Sequence, residues 1–178
     1  MVKQRCSPLL KKEEIDGLFL NPELFSKKSF HYVNSDTQTY DENRERGSIP
    51  EEAQFIKSKL NEGHTIIIKN LESISPKILS KCKSLGDNVN LHLYLVPENG
   101  ESSFNYHSDD RDVLVHLVYG RKQFFIKDSK GEERSVLLEA EDELSIPKGT
   151  LHKAIPRGAS CLLSFGIESS HGSNQAGL

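Results

Sequence analysis

The sequence predicts a mainly β protein, with two helices ahead of a double-sheet sandwich or barrel. Three observations carry this. From Val89 onward, short runs rich in Val, Ile, Leu, Phe and Tyr recur at regular spacing with turn residues between them. Before them lie two segments whose apolar residues repeat at helical spacing, each opened by serine and proline and closed by glycine. No linker, internal repeat or low-complexity tract divides the 178 residues, so one domain is expected.

Taken in order, residues 1–62 form an N-terminal flanking segment. Leu18-Phe19-Leu20 and Leu24-Phe25 can pack as a short helix or cap, with Asn21-Pro22 turning between them. Phe30 to Val33 has strand character, and Asn34 to Gly47 is polar and reads as a loop, either a lid or a surface insertion. Ser48, Pro50 and Glu51 spell a helix start with a capping box; Ala53, Ile56 and Leu60 then share a face, and Gly63 stops the helix. Residues 63–168 form the β core. Thr65 to Ile68 reads as a buried strand, and Ser75-Pro76 opens a helix with Ile78, Leu79, Cys82 and Leu85 on one face. Strands follow at Val89–Val96, Val113–Tyr119, Gln123–Lys127, Ser135–Leu138, Glu143–Ile146, Leu151–Ile155 and Cys161–Ile167, and 169–178 is a polar tail.

Composition excludes several classes. Hydrophobic residues make up 35% and charged ones 28%, with a net charge of −3, so nothing calls for a nucleic-acid partner. No apolar run approaches the roughly 20 residues of a membrane helix. Met1 to Cys6 lacks the apolar core of a signal peptide, and a cytoplasmic location is the expectation. Cys6, Cys82 and Cys161 are odd in number and widely spaced, which argues for reduced thiols rather than a disulfide framework or zinc ribbon.

The chemistry concentrates in Phe104-Asn105-Tyr106-His107-Ser108-Asp109 and in Ile146-Pro147-Lys148-Gly149-Thr150-Leu151-His152. Residues two apart on an extended segment face the same way, so His107 and Asp109 can both aim into a barrel mouth. In that register Val113, Val115, Leu117 and Tyr119 face inward, while Leu114, His116 and Val118 face a second layer. Ile146 to Gly149 fits a type I turn that delivers His152 on a separate strand. Two imidazoles and a carboxylate are the ligand set of a facial iron(II) site with open positions; copper, nickel or zinc would also bind it. Lys122 follows on the strand beside the apolar run. It is either an exposed lysine or a buried counter-ion for a dicarboxylate, because an ammonium inside a barrel is costly without an anion.

The stretch Asn90 to Pro97, the His107-Ser108-Asp109 triplet and Val113 to Lys122 together resemble the JmjC/cupin-like Fe(II)- and 2-oxoglutarate-dependent oxygenases, nearest the ribosomal-oxygenase branch of protein hydroxylases. The resemblance runs from Gly63 to Ile167. It implies a double-stranded β-helix (a jelly-roll or cupin barrel) with N-terminal flanking helices, and Fe(II) held by His107, Asp109 and His152. It also implies that Lys122, helped by Tyr94, binds the distal carboxylate of 2-oxoglutarate. Many such oxygenases place an arginine about ten residues beyond the second histidine; Leu162 stands there, which favours the lysine type. His92 and Val96 stand where the family often has asparagine and threonine.

The implied activity is hydroxylation of a C–H bond, of a protein or peptide side chain by resemblance, with O2 and 2-oxoglutarate consumed and succinate and CO2 released. The chain ends soon after its last strand, leaving no room for the dimerisation and winged-helix regions of the ribosomal enzymes. A ribosomal substrate is therefore not implied, and a homodimer is left open. The rival readings are a cupin metalloenzyme working without 2-oxoglutarate and a non-catalytic metal-binding cupin.

Overall fold

Serine and proline set the helix starts as the sequence demands. In the computed structural model of the chain, Ser48 and Glu51 exchange the bonds of a capping box at the head of α3 (Ile49–Asn61), with Ser48 N–H and Oγ both 2.7 Å from the Glu51 carboxylate. Ser75 and Pro76 open α4 (Pro76–Leu85), which Gly86 closes. Upstream, where a short helix or cap turning at Asn21-Pro22 is expected, α1 (Lys12–Leu18) and α2 (Pro22–Ser26) flank that turn, and the Asn21 side chain accepts the Glu23 N–H at 3.0 Å. The structure describes residues 2–34, 37, 39–41, 44–72, 74–100 and 104–168, side chains excepted at 34, 39 and 40. The polar tail expected at 169–178 lies outside the described residues.

The strands are β1 (Lys3–Arg5), β2 (Phe30–Asn34), β3 (Thr39–Tyr40), β4 (Ile66–Lys69), β5 (Val89–Val96), β6 (Asp112–Tyr119), β7 (Arg121–Lys127), β8 (Glu133–Glu139), β9 (Asp142–Ile146), β10 (Leu151–Pro156) and β11 (Ser160–Ile167). Among the described residues they form a large antiparallel sheet in the order β1-β9-β6-β11-β5-β4-β2-β3 and a small one in the order β10-β7-β8. The fold is mainly β, a jelly-roll sandwich with helices on one side. None of the described helices is long and apolar enough to cross a membrane. The three cysteines are free, Cys82 and Cys161 buried and Cys6 partly exposed.

The large sheet is apolar on both faces because each face meets a layer. Toward the helices, Phe30, Ile66, Ile68, Leu91, Leu93, Leu163 and Phe165 pack with Ile15, Ile56 and Ile78. Toward the small sheet, Val113, Val115, Leu117, Leu144 and Leu162 pack with Phe124, Ile126 and Leu138. The alternation expected on β6 holds through Leu117 and then breaks. Leu117 stands opposite Leu162 and Tyr119 opposite Cys161, so Val118 is an extra residue, a β-bulge. The bulge carries Tyr119 to the helix side, with Lys12 over its ring, and corrects the inward orientation expected for it.

Within 34–47, where a loop is expected, the described residues are tied to the helix layer. Asp41 accepts the Tyr32 N–H, Arg44 pairs with Asp41 at 2.8 Å and with Glu52 at 2.5 Å, and Arg46 reaches Glu52 at 3.0 Å and the Phe30 carbonyl at 2.6 Å. Glu52 on α3 is only 4% exposed, and a carboxylate so buried demands cations. The two arginines therefore strap this segment to the helix layer.

Candidate metal centre

The segment after β5 returns along the mouth of the sandwich and meets β10 at one point. The His107 N–H donates to the His152 carbonyl at 3.0 Å and the His152 N–H to the His107 carbonyl at 2.8 Å, an isolated antiparallel bridge. Two further bonds fasten the turn before β10, one to that segment, Gly149 N–H to the Asp109 carbonyl at 3.0 Å, and one to the start of β6, Lys148 N–H to the Asp112 carboxylate at 2.8 Å. The turn differs from the type I expected. Its closing bond runs from Thr150 N–H to the Pro147 carbonyl, and Gly149, at φ 74, takes the third position. Lys148 is not among the residues of positive φ, so the geometry is type II, which needs glycine there.

These backbone ties bring His107, Asp109 and His152 together, with one ligand atom from each lying within 4.8 Å of the others, a group that could hold a metal ion. His152 Nε2 is 3.5 Å from the Asp109 carboxylate, and the two imidazole centroids are 4.5 Å apart. Each imidazole is also turned by a carbonyl: His107 Nδ1 lies 2.8 Å from the Asn105 oxygen, and His152 Nδ1 lies 2.9 Å from the Thr150 oxygen. A carbonyl only accepts, so Nδ1 carries the proton in both rings and Nε2 keeps its lone pair for a cation. Burial pushes the His152 imidazolium below its ordinary value, against the opposing pull of Thr150 and Asp109. The ring is thus neutral, the form that binds metal.

Behind the triad opens a small pocket. Its walls are largely apolar, from Val113, Val115, Phe124 and Leu162, and its polar groups besides the triad are Tyr94, Lys122 and Ser164. Lys122 points inward because it shares strand parity with buried Phe124 and Ile126 on β7, while Arg121 faces out. It is 4% exposed, with Nζ 5.8 Å from the Tyr94 ring centroid. No ion pair involves it among the described residues, and its ammonium is held down to about 8 by burial, which the neighbouring Cys161 only partly offsets. Gly120 makes the turn into β7. At φ 83 it lies so close to the Ala159 carbonyl and Ser160 that a Cβ would meet that oxygen at 2.2 Å.

The structure therefore places Tyr94 and Lys122 in the same pocket as the triad. Sequence reasoning gave no role to Phe104, whose ring is 5.7 Å from that of His107, or to Ser164. The alternation of β11 would have found Ser164, since it shares parity with Leu162. Phe104 sits outside any strand and offers no such signal.

No protein-family model matches the sequence, and no curated protein matches it. Solved structures do. YcfD, a ribosomal oxygenase from Escherichia coli, superposes with a TM-score of 0.64 at 15% identity, covering 96% of this chain and 48% of that one. Its complex with cobalt and 2-oxoglutarate gives 0.63 at 15% identity, and its complex with cobalt and succinic acid 0.61 at 14%, over the same shares of the two chains. The chain spans about half the length of that oxygenase. At such identity the likeness is one of architecture: over nearly its whole length, this chain is similar in fold to about half of that ribosomal oxygenase.

Proposed function

We propose that the chain is an Fe(II)- and 2-oxoglutarate-dependent oxygenase that hydroxylates a C–H bond of a protein or peptide side chain, with residues 63–168 as its catalytic barrel. The observation that carries this reading is Lys122, an ammonium buried in the triad's own pocket with no carboxylate paired to it among the described residues. A charge so placed is destabilising unless a ligand brings the anion. The donor set suits iron(II): two imidazoles whose Nδ1 atoms face carbonyls and whose Nε2 atoms are left for a cation, and one carboxylate, which together would leave about half an octahedral shell open.

Iron(II) with 2-oxoglutarate would supply oxygenation chemistry, in which one atom of O2 enters succinate, the other enters the product, and CO2 leaves. His107, Asp109 and His152 would hold the metal, and the Asn105 and Thr150 carbonyls keep the two rings aimed. Lys122 would bind the distal carboxylate of 2-oxoglutarate, with the Tyr94 ring beside it. Val113, Val115, Phe124 and Leu162 exclude water from the co-substrate's carbon chain. No general base is required of the protein.

Calorimetry tests the reading. With Mn(II) in place of iron, 2-oxoglutarate should bind in the micromolar range, and Lys122→Ala should weaken it at least about tenfold while metal binding stays. Equal affinity in wild type and variant would remove 2-oxoglutarate from the mechanism.

A further inference from the structure

Beside the metal mouth lies a second cavity. An open groove of about 450 Å³ runs between the β7–β8 turn and the Pro147–Thr150 turn. It shares a wall with the metal centre, since Gly149 bonds the Asp109 carbonyl and Leu151 adjoins His152. Three cations line it: Lys127, Arg134 and Lys148. Among the described residues none of the three enters an ion pair, whereas Lys3, Lys27, Lys59 and Lys81 elsewhere on the surface each hold a carboxylate within 4.0 Å. The groove's own carboxylate, Asp128, accepts the N–H groups of Lys130 and Glu132, each at 2.9 Å, and so serves its turn.

We propose that this groove seats an acidic stretch of polypeptide, the part of the substrate that flanks the side chain delivered to the pocket. The second half of that statement rests on the oxygenase reading; the binding itself does not. The chain as a whole carries a charge of −3, so the positive groove is a local feature and steers acidic partners to this end of the barrel. Leu151, 38% exposed, and Pro147 add apolar surface for a peptide. Single-stranded nucleic acid would need an open aromatic platform. The nearby Tyr106 ring is instead taken by Lys127 and Lys153, whose ammonium groups lie 4.4 and 4.6 Å from its centroid, and its hydroxyl donates to Glu133.

The test is fluorescence anisotropy of a labelled octaglutamate peptide against the full chain loaded with Mn(II). Wild type should bind it, less tightly as salt is raised through the range where the Debye length falls below about 10 Å. Arg134→Glu with Lys148→Glu should weaken binding about tenfold. The same change of charge on α4, Lys77→Glu with Lys83→Glu, should leave it within about twofold, since it lies outside the groove. Failure of wild type to bind, equal losses in the two double variants, or tighter binding of a single-stranded RNA octamer than of the peptide would each overturn the proposal. Metal-dependent 2-oxoglutarate binding, measured on the same samples, reports separately on the oxygenase reading: its loss with peptide binding intact sinks that reading and leaves the groove standing.

Discussion

The two faces of the large sheet are equally buried and differently furnished. On the helix side, Phe30, Ile56, Ile66, Ile68, Ile78, Leu93, Leu163 and Phe165 are wholly buried, and the buried carboxylates there, Glu52 and Glu143, have their cations within the chain. On the barrel side, Val115, Leu117, Phe124 and Leu162 share their space with Lys122 and His152, which are 4% and 5% exposed, and the packing opens into a pocket. Close packing is the source of stability, and buried polar groups without partners subtract from it. The difference teaches that the helix side holds the fold together, while the barrel side holds groups whose partners arrive from solution.

The largest expected effect tests the helix side alone. Phe165→Ala removes a fully buried ring from the centre of the large sheet and should cost about 3–5 kcal/mol in urea unfolding. Metal affinity of the molecules that remain folded should not change. A matching loss of metal affinity would show that the two faces are one mechanical unit.

His152→Ala makes the converse cut. Removing one of the three ligands should lower Mn(II) affinity at least about a hundredfold, roughly 3 kcal/mol, while the metal-free chain unfolds at about the wild-type denaturant concentration. Added Mn(II) should raise the melting temperature of wild type and leave that of the variant unmoved, because only a folded-state ligand stabilises.

Lys122 gives the comparison a sign. Its ammonium is held at about 8 when folded, against an ordinary value near 10.5. The unfolded chain therefore binds more protons between those limits, and stability rises as pH climbs from 8 to 10.5. The charged form costs on the order of 3 kcal/mol below pH 8. Lys122→Met should accordingly stabilise the ligand-free protein by about 1–3 kcal/mol at pH 7, the advantage fading toward pH 10.5, while 2-oxoglutarate binding is lost. If the variant is less stable at pH 7, the lysine has a partner in the folded state after all.

Much of this was legible in the sequence, for reasons that differ by region. The period-two register from Val113 to Leu117 follows from a strand covered on both faces, and it placed that part of the barrel interior correctly. It failed at Tyr119, because a bulge is one extra residue and leaves no mark in composition. The capping box at Ser48 is local chemistry and was readable as such. The arginine strap was not: Arg44 and Arg46 resemble any charged loop until Glu52 is seen to be buried. The His107-x-Asp109 spacing and the glycine turn before His152 located the candidate ligands. The carbonyls that orient the two rings depend on backbone direction alone, which residue identity does not encode.

The smallest effect sharpens the contrast between paired and unpaired buried charge. Burial alone would raise the Asp41 carboxyl, yet hydrogen bonds from His31, Arg44 and the Tyr32 N–H hold it down at about 2, below its ordinary 3.8. A depressed carboxylate contributes stability that is complete above the unfolded value and is lost as pH falls through the folded one. Asp41→Asn should therefore destabilise by about 2 kcal/mol at pH 7, and the gap to wild type should close as pH drops from about 4 toward 2. Both folded values lie below the unfolded ones, so stability rises with pH through each window, but the contribution at pH 7 has opposite sign, and the reason is structural: the Asp41 carboxylate has the Arg44 guanidinium in place within the chain, whereas the Lys122 ammonium has its anion only when a ligand enters. A gap between Asp41→Asn and wild type that stays constant from pH 7 to pH 2 would mean that the strap acts through packing and not through charge.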